Sequence, residues 1–176
     1  ETLWSAGGKW NSLLGRAITL GDRVPVSTYQ PKSTELDWAT GCCMLVSKAV
    51  LLQAGLLPEP YFAYFEDVEW SLRIRKAGFK IGLAENSKIY HEAGGASKKQ
   101  HAEGTLSPKV FFFHVRNQLF LLRQQQIVLG YPYHLIRFAL WGAYFLIRGR
   151  FQKLSAVFQG LRDGLLVPFN PDKKWL

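Results

Sequence analysis

Between residues 62 and 73 the chain reads Phe62-Ala63-Tyr64-Phe65-Glu66-Asp67-Val68-Glu69-Trp70-Ser71-Leu72-Arg73, an aromatic run that passes into three acids within four positions. The acids open a helix expected from about residue 66 to residue 77 and stopped by Gly78. Its apolar positions, Val68, Trp70, Leu72, Ile74 and Ala77, make no single clean stripe, but Arg73, Arg75 and Lys76 suit the negative end of a helix dipole. At the opposite end, free N–H groups and the dipole stabilise ionised carboxylates. Asp67 is therefore expected to stay deprotonated at neutral pH, as a base must. The plainer reading is that these acids only complement the dipole and that Glu69 pairs with Arg73 four residues on.

Outward from that stretch, residues 56–65 contain Pro58, Pro60 and four aromatics, which predicts a structured loop with a surface suited to stacking on a sugar ring. Residues 36–46 read as a buried strand interrupted at Gly41, after which Ser47 caps a short helix ending at Gly55. The first 35 residues, rich in Gly, Pro, Ser and Thr, predict loops around short strands. Downstream, 80–83 and 88–90 read as short strands around a turn at Glu85-Asn86-Ser87, and 94–104 as a mobile loop. The pattern then becomes helical: Ser107-Pro108 opens a helix over 109–128, and two more follow at about 132–147 and 150–166. The expectation is an α/β part over residues 1–106 and an amphipathic helical tail over 107–176.

The balance of 48% hydrophobic and 20% charged residues excludes disorder as the default. Twenty-two Lys and Arg against 13 acids give a net charge of +9, which calls for an anionic partner: a phosphate-bearing substrate, acidic lipid headgroups or nucleic acid. The basic residues form no nucleic-acid motif, so nucleic acid is not expected. The apolar run at 133–147 falls short of the ~20 residues that span a bilayer. With Arg123, Arg148, Arg150, Lys153 and Arg162 around Phe138, Trp141, Tyr144, Phe145, Phe151 and Phe158, it reads either as an interfacial helix pair on an anionic bilayer or as helices packed on the rest of the protein. Cys42 and Cys43 are adjacent and cannot satisfy disulfide geometry together, so both are expected to be buried in a reducing compartment. One domain fits in 176 residues, yet a two-substrate enzyme needs more, and residue 1 is read as a cut inside a longer protein.

The segment 37–91 resembles the second half of family-two GT-A glycosyltransferases, in the branch that includes bacterial rhamnosyltransferases. The likeness rests on Thr40-Gly41 and on SKAVLLQAGLLPEPYFAYFEDVEWSLRIRKAGFKIGLAENSKIYHEAGGAS, with weaker similarity over 111–122 and 160–165. It implies the C-terminal portion of a GT-A fold, the Rossmann-like α/β fold of nucleotide-diphospho-sugar transferases, followed by a helical tail. It further implies inversion, with Asp67 as general base and Glu66 beside it, and an acceptor side built from Gly41, Tyr64, Glu69, Trp70 and Arg73. His91 matches a residue that coordinates a divalent cation, Mn²⁺ or Mg²⁺, whose other ligands lie mostly in the missing N-terminal half. Lys98 and Lys99 would fold over the diphosphate, and Arg116 and Asn117 would hold an acceptor phosphate, unless that pair only packs against the main domain.

The partners so implied are a nucleotide-sugar donor, a glycan or lipid-linked acceptor and a membrane surface, which places the parent on the cytoplasmic face of the membrane. An Asp-x-Asp metal motif is absent from these 176 residues, so the chain alone is not expected to catalyse transfer. The Gln-x-x-Arg-Trp motif of processive synthases is missing as well, which argues for addition of one or a few sugars. The alternative is a membrane-surface or partner-binding module that keeps the fold without turnover.

Overall fold

The computed structural model describes residues 1–91 and 101–169, which fall into two compact units. The first comprises Glu1–Asn11, Arg16–Pro58 and Glu66–Ala93. Strand β1 (Gly8–Asn11) runs antiparallel to β2 (Arg16–Thr19), in register from Gly8 opposite Thr19 to Asn11 opposite Arg16. Strand β3 (Glu35–Leu36) pairs antiparallel with β4 (Ile81–Gly82). Helix α1 (Lys48–Ala54) starts where the Ser47 hydroxyl accepts the Val50 N–H at 3.4 Å, and it ends at Gly55 with φ at +71°. Helix α2 covers Glu66–Lys76. Val50 and Ala54 of α1 pack against Trp70 and Ile74 of α2, with Met44, Val46, Phe79 and Ile81 around them. Burying side chains of the larger kind contributes about 1.5–3 kcal/mol each.

The strand expected over 36–46 is confined to Glu35–Leu36 and a single bridge at Trp38. The cause lies in α2, whose side chains take backbone donors that a ladder would need. Ser71 Oγ accepts the Ala39 N–H at 3.2 Å, and Asp67 Oδ2 accepts the Gly41 N–H at 3.0 Å. Residues 88–90 are irregular rather than a strand. Both cysteines are exposed, against the expectation of burial, because they lie in the turn that follows Gly41.

The second unit comprises Ser12–Gly15, Glu59–Phe65 and Gly94–Leu176, so the structural division cuts across the boundary drawn at residue 106. Its helices are α3 (Pro108–Gln124), α4 (Gly130–Ile147) and α5 (Phe151–Leu166). Val115, Leu119 and Leu122 of α3, Phe138 and Phe145 of α4, and Val157 of α5 form its core. Two glycines let α5 approach α3 closely. A Cβ on Gly160 would lie 2.8 Å from both the Phe112 carbonyl and Val115 Cβ, and one on Gly164 would lie 2.8 Å from Leu119 Cβ. Polar side chains inside the unit tie down the segment Ser12–Gly15. Gln118 Nε2 donates to the Gly15 carbonyl at 2.8 Å, and His134 Nε2 lies 3.0 Å from the Leu14 carbonyl. A carbonyl only accepts, so that nitrogen carries the ring hydrogen. Among the described residues no helix is long and apolar enough to cross a membrane.

Candidate active site

In the first unit the head of α2 brings two carboxyl groups to the backbone of Gly41. Asp67 Oδ2 accepts the Gly41 N–H at 3.0 Å, and Oδ1 accepts the Val68 N–H at 2.8 Å. A methyl on Gly41 would sit 3.7 Å from Asp67 Cβ and 4.0 Å from Glu66 Oε1, in ordinary contact with both acids. Asp67 forms no ion pair among the described residues. Its carboxylate keeps about two of roughly four lone-pair positions for an incoming proton.

Burial raises the Asp67 pKa above the usual carboxylate value, opposed by the N–H groups of Gly41, Val68 and Asp67 itself. Glu66 moves further: burial, then the neighbouring Asp67 charge, push its pKa up to about 7, and its own backbone N–H pulls the other way. Its Oε2 is buried and accepts no hydrogen bond among the described residues. The dipole argument alone predicted a readily ionised pair. Desolvation is the larger effect here, and it turns the two acids into a pair of elevated proton affinity.

The remaining acids and aromatics of α2 have other work. Glu69 is only 5% exposed and forms a forked pair with Arg73, whose Nη2 lies 2.9 Å from Glu69 Oε2 and whose Nε lies 3.1 Å from Oε1. Arg73 also donates to the carbonyls of Ala54 and Leu56, which fastens α2 to the end of α1. The acceptor-binding role expected of Glu69 and Arg73 is therefore replaced by a structural one, because every charged atom of the pair is already engaged. Trp70 is corrected in the same way. It is 4% exposed, its indole N–H donates to the Gly55 carbonyl at 2.8 Å, and its ring is core rather than a stacking surface.

His91 is exposed, with its ring 4.9 Å from that of Trp4. Among the described residues no three His, Cys, Asp or Glu side chains gather to hold a metal ion, so these residues alone do not fit one. Lys98 and Lys99 lie outside the described residues.

In the second unit, Arg116 and Asn117 hold the backbone of the aromatic loop instead of an anion. Arg116 is 3% exposed and its Nη2 donates to the carbonyls of Pro60 and Tyr61 at 2.8 and 3.0 Å. Its guanidinium lies 4.9–5.3 Å from the rings of Phe112, Phe113 and Phe120, and burial lowers its pKa to about 10. Asn117 Nδ2 donates to Tyr61, Ala63 and Tyr64 carbonyls at 2.7–2.9 Å. The donors of Arg116 Nε and Nη2 and of Asn117 Nδ2 go to the Asn117 side chain and to the loop carbonyls, which is the packing alternative expected for this pair.

The carbonyls so held belong to a strained segment, with φ at +62° for Phe62, +67° for Tyr64 and +68° for Phe65. Side chains rarely adopt that conformation, and it persists only where surrounding contacts determine it. Tyr64 also stacks on His114, centroid to centroid 4.3 Å. Burial, aided by the Arg137 charge, lowers the His114 pKa to about 4, so its ring is neutral at physiological pH. His114 was not singled out in the sequence, where it stands as an ordinary polar residue in an aromatic helix.

Comparison with known proteins points to sugar-transferring enzymes. The chain is 36% identical over 78 residues to the low-salt glycan biosynthesis hexosyltransferase Agl10 of Haloferax volcanii, a match that covers 44% of this chain and 25% of that protein. It is 31% identical over 75 residues to the N-acetylglucosaminyl-diphospho-decaprenol L-rhamnosyltransferase of Mycobacterium tuberculosis, covering 43% of this chain and 22% of that one. These matches span about a quarter of the length of those relatives. No family model matches the chain, and no solved structure does.

Proposed function

We propose that this chain is the base-bearing, acceptor-side part of an inverting glycosyltransferase of the GT-A fold, whose parent moves a sugar from a nucleotide-diphospho-sugar to a glycan or lipid-linked acceptor. The observation that carries the reading is the Asp67 carboxylate, oriented by two backbone N–H groups, unpaired with any cation among the described residues and raised in proton affinity by burial. The similarity to a hexosyltransferase and a rhamnosyltransferase supports the same class.

In this reading Asp67 accepts the proton of the acceptor hydroxyl as that oxygen bonds to the anomeric carbon. The bond from that carbon to the phosphate oxygen breaks on the opposite face, and the nucleoside diphosphate leaves with the electron pair. Glu66, titrating near neutrality, keeps the two adjacent carboxyls from both bearing full charge and tunes the base. Gly41 supplies the amide that orients Asp67. A divalent cation belongs to this proposal for the parent protein, with His91 contributing at most one imidazole beside ligands from outside the described residues.

In this reading the helical unit meets a membrane surface, at the cytoplasmic face expected for the parent. Ile136, Leu140, Ile147, Phe151, Phe158 and Leu166 are each more than 60% exposed, and Arg148 and Arg162 are exposed beside them. Such an apolar face flanked by cations suits an anionic bilayer surface.

The test is transfer by the full-length parent from a panel of nucleotide sugars, with the anomeric configuration of the product read by proton NMR at early times. Inversion is expected. Retention, or no transfer from any donor to glycan and lipid-linked acceptors, overturns the proposal.

A further inference from the structure

The helical unit carries an open groove of about 470 Å³ that the transferase reading does not use. Phe111, Trp141, Tyr144 and Phe145 form its walls, and Arg150 and Lys153 stand at its polar end. Lys153 is 2% exposed. Its ammonium donates to the Glu103 carbonyl at 2.6 Å and lies 5.4 Å from the centre of the Phe111 ring. The Glu103 carboxylate accepts the backbone N–H groups of Gln152 and Lys153, at 2.8 and 2.9 Å, at the head of α5, and from there its charge favours the ammonium without touching it. Among the described residues no carboxylate oxygen comes within 4.0 Å of the Lys153 ammonium or the Arg150 guanidinium.

Both cations reach one place. Arg150 donates to the Tyr144 hydroxyl at 3.4 Å and lies 5.5 Å from that ring. A methyl built on Gly104 would sit 3.7 Å from Lys153 Nζ and 3.9 Å from Arg150 Nη2, and Gly104 has φ at +105°, which disfavours any side chain there. The cationic heads therefore converge on open space beside a glycine. Burial, and then the Arg150 charge, lower the Lys153 pKa, against the opposing pull of Glu103 and Tyr144. Two cations share one nearby carboxylate, so the place keeps an excess positive charge that a bound anion would balance.

We propose that this groove binds a phosphate-bearing amphiphile, with its phosphate oxygens on Lys153 and Arg150 and its apolar stem between the aromatic walls. A phosphate carries enough charge and acceptor oxygens for two cationic donors at once. The apolar half follows from the walls and from the mouth. Tyr144 is 48% exposed, and Ile147 and Phe151, near it at the facing ends of α4 and α5, are 82% and 64% exposed, so a hydrocarbon tail leaves the groove along an apolar surface. The site needs nothing from Asp67, and binding rather than turnover reports it.

The experiment titrates the chain with farnesyl phosphate, farnesol and inorganic phosphate by calorimetry, and with phosphatidylcholine vesicles with and without phosphatidic acid by co-sedimentation. Wild type is compared with Arg150→Gln and Lys153→Met, with thermal melts to check folding. Arg150 is half-buried, so its variant decides if the lysine variant does not fold. Saturable binding of farnesyl phosphate is expected, weakened by about tenfold or more in Arg150→Gln, with farnesol and inorganic phosphate each about tenfold or more weaker than the conjugate. Loss of phosphatidic-acid vesicle capture in the same variant identifies a bilayer headgroup as the source, and capture of soluble farnesyl phosphate alone identifies a free ligand. Either outcome supports the site. Equal binding of farnesol, equal binding of inorganic phosphate, binding indifferent to Arg150→Gln, or no binding by wild type overturns it.

Discussion

The side-chain amide of Asn117 donates to the main-chain carbonyl of Tyr64 at 2.8 Å and shares its two hydrogens with the carbonyls of Tyr61 and Ala63. One amide thus fixes three carbonyls in a segment that contains three non-glycine residues of positive φ. Replacing Asn117 with Ala leaves those carbonyls without their donor and releases the strain into a looser loop. Urea unfolding should show a loss of about 2–4 kcal/mol. A change within about 0.5 kcal/mol would mean that the loop holds its shape without the amide.

The raised pKa of Glu66 sets a pH dependence. Its folded value of about 7 lies above the usual 4.5, so the folded state keeps a proton that the unfolded chain gives up. That contribution to stability is fully present below pH 4.5 and is lost as pH rises through 7. Glu66→Gln removes the titration. The variant should match wild type near pH 4 and exceed it above neutrality by about 1–2 kcal/mol, a figure reduced for the solvent still reaching this half-buried side chain. Melting curves across that range decide it, and a gap that does not widen with pH contradicts the assignment.

Helix propensity alone says that Gly160→Ala should stabilise α5 by about 0.5–1 kcal/mol. The packing says the reverse, because the new methyl would lie 2.8 Å from the Phe112 carbonyl and from Val115 Cβ. Both neighbours are backbone or stiff β-branched carbon and cannot swing away. The expected result is a loss of about 1–3 kcal/mol by chemical denaturation. A more stable variant would show that α3 and α5 separate easily.

Features with a local cause were legible in the sequence. Ser47 and Gly55 bracket α1 because caps act within a few residues, and Gly78 and Pro108 mark helix ends for the same reason. The acids at the head of α2 stood out by their spacing. What escaped was decided at long range. The strand expected over 36–46 was lost to Ser71 and Asp67, about thirty residues on, which take its N–H groups. For Arg116 and Asn117 the sequence left phosphate binding and packing both open, because their partners are carbonyls more than fifty positions away. The Glu69–Arg73 pair was legible from its four-residue spacing, whereas the burial of both Glu69 and Trp70 was not. Nothing in the neighbourhood of Glu103 announces that it caps α5, and so the cationic groove beside it had no signature either.

The central claim is that the Asp67 carboxylate removes the acceptor proton. Its most direct test is the single-turnover rate of sugar transfer by the full-length parent carrying Asp67→Asn, measured beside its donor affinity and melting temperature. Asparagine preserves the shape and an oxygen for the Gly41 amide, gives up the acceptor for the Val68 N–H and cannot take up a proton. The account predicts a rate about a hundred- to ten-thousand-fold lower, with donor affinity and melting temperature near those of wild type. Transfer at the wild-type rate by that variant would contradict it.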